Sequence, residues 1–362
     1  HGGGGQGPRA CARKGIGQWR VVVETKERLQ RLEQERQAPP PCALHYTGYD
    51  EDYGGVTAVI KRLAAAADFP VVLGGNPGFV QRQAPQLPVE IFPRVEAECG
   101  GLRQPGQALR VARHARGWLR RNRAGIFHAH SRVGLLAAAL LAAQGERRVV
   151  GTVHVLGRQR WFFRLLARVL GPRLFWLSPH MPEYYGLGRK GWESCLPDCI
   201  IAPAPARPAR GAPLRFGAVG PFAAVKQWDL LLEGWARVPA DRRAGAKLIH
   251  IGGTSAAVPD PARERLQRRA AELGVADSIE WRPRLVPLDG FWAEIDCLLV
   301  VSRHEAFGVA ALEALAAGVP VLTADAAGTR DLVAECGGGM FAADSAAALA
   351  AAITALRRDG IP

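Results

Sequence analysis

Ser302-Arg303-His304-Glu305-Ala306-Phe307-Gly308-Val309-Ala310-Ala311-Leu312-Glu313-Ala314-Leu315-Ala316-Ala317-Gly318-Val319-Pro320 is the stretch whose reading decides the fold. An apolar run, Cys297 to Val301, precedes it and reads as a buried parallel strand. An Ala/Leu-rich helix follows, stops at Gly318 and leads into another apolar run, Val319 to Leu322. Strand, loop, helix and strand make one crossover unit of an α/β sheet, and ligands of such sheets sit outside the carboxyl ends of the strands. Glu305 and the Phe307-Gly308-Val309 turn fall at that end. The free N–H groups of a helix start favour an anion, and Gly308 has no side chain to hold a phosphate off.

Two glutamates complete the unit. Glu305 precedes the helix and Glu313 lies within it, so one carboxylate can reach a sugar while the other accepts hydrogen bonds from neighbouring hydroxyls, as on a ribose. A solvated helix face would be the ordinary home for Glu313. It is poorly supported here, because Leu312, Ala314 and Leu315 flank the residue and no other charge stands between Glu305 and Asp325.

At these residues the chain resembles the retaining GT-B glycosyltransferases, in particular glycosyltransferase family 4. The resemblance lies in Glu305-Ala306-Phe307-Gly308, a second glutamate after seven residues, and Glu313-Ala314-Leu315-Ala316-Ala317-Gly318-Val319-Pro320-Val321. It extends more thinly from about Cys42 to Leu356. The implied architecture is α/β, two Rossmann-like domains facing across a cleft, with the acceptor on the first and a nucleotide diphosphate sugar on the second. The implied reaction is hexosyl transfer from a UDP- or GDP-sugar to a glycan or lipid-linked acceptor, as in cell envelope polysaccharide synthesis. Retention at the anomeric carbon is expected, without an obligatory metal or other cofactor.

Composition sets wider bounds. A chain of 362 residues, 48% hydrophobic, can bury two cores of ordinary domain size. No apolar stretch reaches the roughly 18 residues that span a bilayer, and no signal peptide is evident, so a cytoplasmic protein is expected. The seven cysteines are scattered and mostly lie in apolar runs, which reads as reduced core thiols. Cys195 and Cys199 lack a second ligand pair for zinc.

The net charge is +14, and its excess belongs to the first half, where fifteen arginines and one acid, Glu146, lie between Arg103 and Arg173. Such density can steer a protein to an anionic membrane at the inner face or to a phosphorylated acceptor. Arginines solvating helix faces are the plain alternative. Nucleic acid is the least supported partner, since no recognised motif or aromatic-basic interleaving accompanies the charge.

Along the chain, residues 1–40 match nothing in the resemblance and read as an arm or tag, with a charged helical stretch from Val23 to Gln37. A first domain is expected over 41–209 and a second over 210–362, divided by the proline-rich run from Pro203 to Pro213. Strands are predicted at Ala43 to Thr47, Val71 to Leu73, Gly125 to His130, Val149 to His154, Leu214 to Val219 and Ala246 to Ile251. Helices are predicted at Thr57 to Ala67, Gln107 to Arg121, Leu135 to Ala143, Asp229 to Arg237, Pro261 to Leu273 and Ala346 to Leu356. The family normally adds a further helix that crosses back onto the first domain. The chain is therefore expected to be a fragment that leaves an apolar groove open there.

The remaining site residues follow from the resemblance. Glu305 would contact the sugar and stabilise developing positive charge, Glu313 would hold the ribose, and Lys226 with the turn at Phe307, Gly308 and Val309 would hold the diphosphate. His154 would touch the sugar from the opposite wall. Gly54 and Gly55 in the first loop, and Gly253 after a strand of the second domain, would let backbone approach the donor. The family usually has an arginine five residues before the lysine, and this chain has Pro221. That departure admits a binder that holds donor without turnover. Asp50-Glu51-Asp52 resembles a metal signature of a different fold, but its place before a Gly-Gly turn favours acceptor contact or solvation.

Overall fold

The apolar runs become parallel strands in two separate sheets. The structure, a computed structural model, describes residues 41–49, 55–96, 98, 101–188, 195, 214–253, 260–285, 288–326 and 328–356. The first sheet contains β1 (Cys42–Tyr46), β2 (Val71–Gly75), β3 (Val89–Ile91), β4 (Gly125–Ala129), β5 (Val149–Val153) and β6 (Leu174–Trp176). The second contains β7 (Leu214–Val219), β8 (Ala246–Ile251), β9 (Ile279–Arg282), β10 (Cys297–Val300), β11 (Val321–Ala324) and β12 (Gly339–Phe341).

Strand order is β3-β2-β1-β4-β5-β6 in the first sheet and β12-β11-β10-β7-β8-β9 in the second. The second is the first order repeated, and both are the doubly wound arrangement of a Rossmann-like domain. The order reverses between β1 and β4, and again between β7 and β10. A ligand crevice belongs at the carboxyl ends of those two strand pairs.

Alternation along the strands explains their near-continuous apolar character. In β10 and just beyond it, Cys297, Leu299 and Val301 join one core cluster with Phe216, Leu248 and Leu322. Leu298 points to the opposite face with Ile249, Ile251 and Val321. Helices cover both faces, so a polar side chain on either would be buried.

Several boundaries differ from expectation for local reasons. The helix expected from Leu135 begins at Arg132 because Ser131 caps it, its side chain accepting from the Gly134 N–H. The helix expected from Gln107 begins at Gln104. β3, β6, β9 and β12 were not expected, nor was the amphipathic helix Arg160–Leu170. β3 and β12 have only three residues each, too few for a clear period. Among the described cysteines, Cys297 is the buried thiol expected, while Cys336 is exposed and Cys42 and Cys195 are half-buried.

The helix Ala346–Ala355 packs on the second domain, where Leu349, Ala350 and Ile353 join its core beside Leu231 and Trp235. No helix among the described residues is long and apolar enough to cross a membrane. The stretch Val23 to Gln37, the proline-rich run, Asp50 to Asp52, and Gly54 lie outside the described residues.

Candidate active site

The switch point of the second sheet assembles the first group of site residues. Lys226 ends a single 3-10 turn, Ala224–Lys226, after β7, and Glu305 lies in the loop after β10. A backbone bond from the Arg303 N–H to the Val225 carbonyl, 2.9 Å, ties the two loops together. Lys226 Nζ then donates to Glu305 Oε1 at 2.5 Å, and Ser302 Oγ donates to the same oxygen at 2.7 Å. Both charged side chains are mostly shielded, at 21% and 16% exposure. An ammonium and a carboxylate are thus set against one another beside the start of the helix Val309–Ala316.

Gly308 caps that helix at φ 89°, a left-handed conformation, and a Cβ there would meet Thr329 Cγ2 at 2.6 Å. Any side chain would be both strained and crowded. Lys226, Glu305, Gly308 and Val309 together line a small cavity of about 40 Å³ with Ser302 and Trp228. Its cation, among the described residues, is Lys226. Pro221 supplies none, and the Trp228 Nε1–H instead donates to its carbonyl at 2.9 Å. Gly253 follows β8 at φ 81°, where a Cβ would strike the Phe222 ring at 2.5 Å. The Gly-Gly turn is therefore needed for close packing beside the same strand ends.

Two expected residues face the other domain. Glu313 pairs with Arg62, which comes from the helix Gly55–Ala66 of the first domain. Phe307 and Ala306 pack against the core of the first domain, so Phe307 does not line the cavity with Glu305. Further ties cross nearby: Ser178 Oγ donates to the Ala306 carbonyl at 2.6 Å, and His180 Nδ1 lies 3.3 Å from Asp331 Oδ2. Gly55 completes this face, with Val309 Cγ2 3.7 Å from where its Cβ would be.

His154 stands apart from Lys226 and Glu305. It follows β5 and lines a cavity of about 210 Å³ in the first domain with Tyr49, Glu98, His130 and Arg132. His154 Nε2 is 2.8 Å from His130 Nδ1, and His130 Nε2 is 2.9 Å from His45 Nδ1. Burial pushes these rings toward the neutral form, His154 to about 3 and His45 to about 4. Burial also raises the Glu98 carboxyl, although Ser131 and the Val133 N–H oppose it by hydrogen bonding. Sequence reasoning missed Arg62, Glu98 and His45. Their partners lie far along the chain; His45 could have been marked by its place near the end of β1, whereas Arg62, within the helix Gly55–Ala66, carries no such signal.

Known proteins share this two-domain fold. Residues 53–206 match the family described as Glycosyltransferase Family 4, and residues 213–359 match Glycosyl transferases group 1. This chain belongs to the family 4 glycosyltransferases. Similar to it are the D-inositol 3-phosphate glycosyltransferase of Geodermatophilus obscurus, 35% identical over 37% of this chain and 32% of that protein, and the one of Gordonia bronchialis, 29% identical over 59% and 49%. The chain spans about a third of the length of the first curated relatives it matches. Among solved structures, HepE of Anabaena in complex with UDP and glucose superposes with TM-score 0.68, at 17% identity over 87% of this chain and 89% of that one. Sucrose-phosphate synthase of Thermosynechococcus elongatus gives 0.69, at 19% identity over 87% and 89%. These likenesses establish the GT-B fold of this family 4 chain.

Proposed function

We propose that this family 4 chain transfers a hexosyl group from a nucleotide diphosphate sugar, with retention at the anomeric carbon. The observation that carries the reading is the Lys226–Glu305 pair beside the Gly308-capped helix start, at the carboxyl ends of β7 and β10. An ammonium and free backbone N–H groups suit a leaving diphosphate, and a carboxylate held by Ser302 and Lys226 suits an electron-poor sugar. Donor arrival would draw Lys226 from Glu305 toward the phosphates and leave Glu305 facing the sugar. Glu313 would take the ribose hydroxyls and His154 would meet the sugar from the first domain. No protein nucleophile and no metal are part of this proposal.

The test is binding followed by stereochemistry. Uridine, guanosine and adenosine diphosphates are compared by thermal shift, and one of them is expected to raise the melting temperature well above the other two. The matching sugar nucleotide is then supplied with acceptors and the product anomer is read by NMR. Absence of any nucleotide-dependent shift rejects the donor site, and an inverted product rejects retention. Binding without transfer would instead favour the weakened binder that Pro221 suggests.

On the acceptor side we propose an anionic acceptor, in a glycan or on a lipid, at the cavity lined by His154 and Arg132. The first domain's arginines and the relatives' name, D-inositol 3-phosphate glycosyltransferase, support this. The helix Arg160–Leu170 adds a way onto an anionic membrane. Its buried face carries Phe162, Phe163, Leu166 and Leu170, while Trp161 and Leu165 are exposed at 65% and 47% among Arg164 and Arg168. Exposed apolar side chains interleaved with arginines suit a lipid interface. Co-sedimentation with anionic vesicles should exceed that with neutral vesicles, fade with salt and fall several-fold in Trp161→Glu. Equal partitioning to both vesicle types would leave these residues as ordinary surface.

A further inference from the structure

Beyond the donor cleft, four histidines meet in the interior of the first domain. His45 on β1 and His128 on β4 are register partners of adjacent parallel strands. His130 follows two residues after His128 and so returns to the same face, and Thr152 and His154 approach it from β5 and its end. Side chains on one pleated face of a core are normally apolar. Here His45, His128 and His130 are 5%, 8% and 3% exposed, and each offers a ring nitrogen, all within 4.8 Å of one another.

We propose that His45, His128 and His130 bind a divalent transition-metal ion of the zinc class. A string of neutral imidazoles would account for His45, His130 and His154, joined at 2.9 and 2.8 Å. It does not account for His128, whose ring lies 4.1 Å from that of His130 while its Nε2 meets Thr152 Oγ1 at 2.8 Å. Outer hydrogen bonds of this kind orient metal-binding histidines. Thr152 would fix the far nitrogen of His128 and His154 that of His130, and the ion would take the place of the present bond between His130 Nε2 and His45 Nδ1. Two nitrogens on one zinc at about 2.0–2.1 Å are roughly 3.4 Å apart. Closure therefore needs shifts of about an ångström, within reach of ring rotation.

The donor set chooses the metal. Imidazole alone suits zinc, cobalt, nickel or copper, whereas magnesium and calcium require oxygen ligands. Burial already keeps the rings neutral, which is the form that ligates. No carboxylate belongs to the group, so the ion would keep its charge and binding should be tight only for ions with strong nitrogen affinity. If the proposed role of His154 holds, the ion would also fix the His130 proton on Nδ1 and with it the orientation of His154.

Metal retention can be measured without any transfer assay, so its outcome is separate from the proposed activity. The full chain is stripped with chelator, dialysed against zinc, cobalt or magnesium, and analysed for bound metal. About one equivalent of zinc or cobalt and no magnesium should remain, with cobalt giving the visible band of a nitrogen-ligated site. His45→Gln with His128→Gln should abolish retention. Thr152→Val, nearly isosteric and away from the ion, should lower zinc affinity about 10- to 100-fold. Less than a fifth of an equivalent of zinc in the wild type overturns the proposal. So does retention unchanged in both the double variant and Thr152→Val, and if the double variant fails to fold, unchanged affinity in Thr152→Val alone overturns it.

Discussion

Lys226→Ala is expected to lower turnover by about 10²- to 10³-fold, the usual cost of removing one group aimed at developing negative charge. The nucleotide itself should bind with a much smaller loss, because the ammonium matters most when the diphosphate departs. This asymmetry follows from the site's composition. Lys226 is the cation lining the cavity at the β7 and β10 strand ends among the described residues, and Pro221 offers no second one. The substitution also leaves Glu305 with Ser302 as its remaining side-chain partner among the bonds described, so some destabilisation should accompany the loss of rate. Steady-state kinetics with the matched sugar nucleotide, beside calorimetric binding of the nucleoside diphosphate, separates the two quantities. Lys226→Arg should recover part of the rate. Wild-type turnover in Lys226→Ala would remove the lysine from the chemistry altogether.

Glu313→Ala should weaken nucleoside diphosphate binding by roughly 1 to 3 kcal/mol, the range for hydrogen bonds to a charged group, or about 5- to 150-fold in affinity. The carboxylate is 15% exposed and engaged by Arg62, so the ribose must displace a cation to reach it. Arg62→Ala therefore makes an informative companion. It removes the competitor while keeping the carboxylate, and donor affinity should stay level or rise. A fall in affinity in Arg62→Ala equal to that in Glu313→Ala would mean that the ion pair, not the ribose contact, supports the site. Unchanged affinity in a folded Glu313→Ala protein would sink the assignment of the ribose.

The second domain was the more legible half because its chemistry is contiguous. Strand end, Glu305, Gly308 and the helix bearing Glu313 occupy one short run, so local propensity and site geometry coincide there. Lys226 needed only the strand before it. The cross-domain features were hidden for the opposite reason: Arg62 and Glu313 are 251 positions apart, and no local period announces such a pair. His154 was legible as a residue at a strand end, but its partner His130, and His45 bonded to His130 in turn, became apparent only once β1, β4 and β5 were laid side by side. Phe307 illustrates a different limit. A turn motif specifies backbone shape, while the direction of an aromatic ring depends on what packs above it, here the core of the first domain. The short outer strands were missed because β9, Ile-Glu-Trp-Arg, mixes charge with apolar residues as a sheet edge should.

The contact between Arg62 and Glu313 gives the proposed donor a mechanical role. Its two ends belong to different sheets, so a ligand that claims the carboxylate also loosens one tie between the domains, while Ser178 still holds the Ala306 carbonyl close by. Occupancy and interdomain angle then become conjugate quantities. Anything that spreads the domains at Arg62 should tighten the nucleotide, and the nucleotide should by the same free energy favour the spread arrangement. The departing diphosphate would return Glu313 to Arg62, and the enzyme would reset itself by the same exchange of partners that admitted its donor.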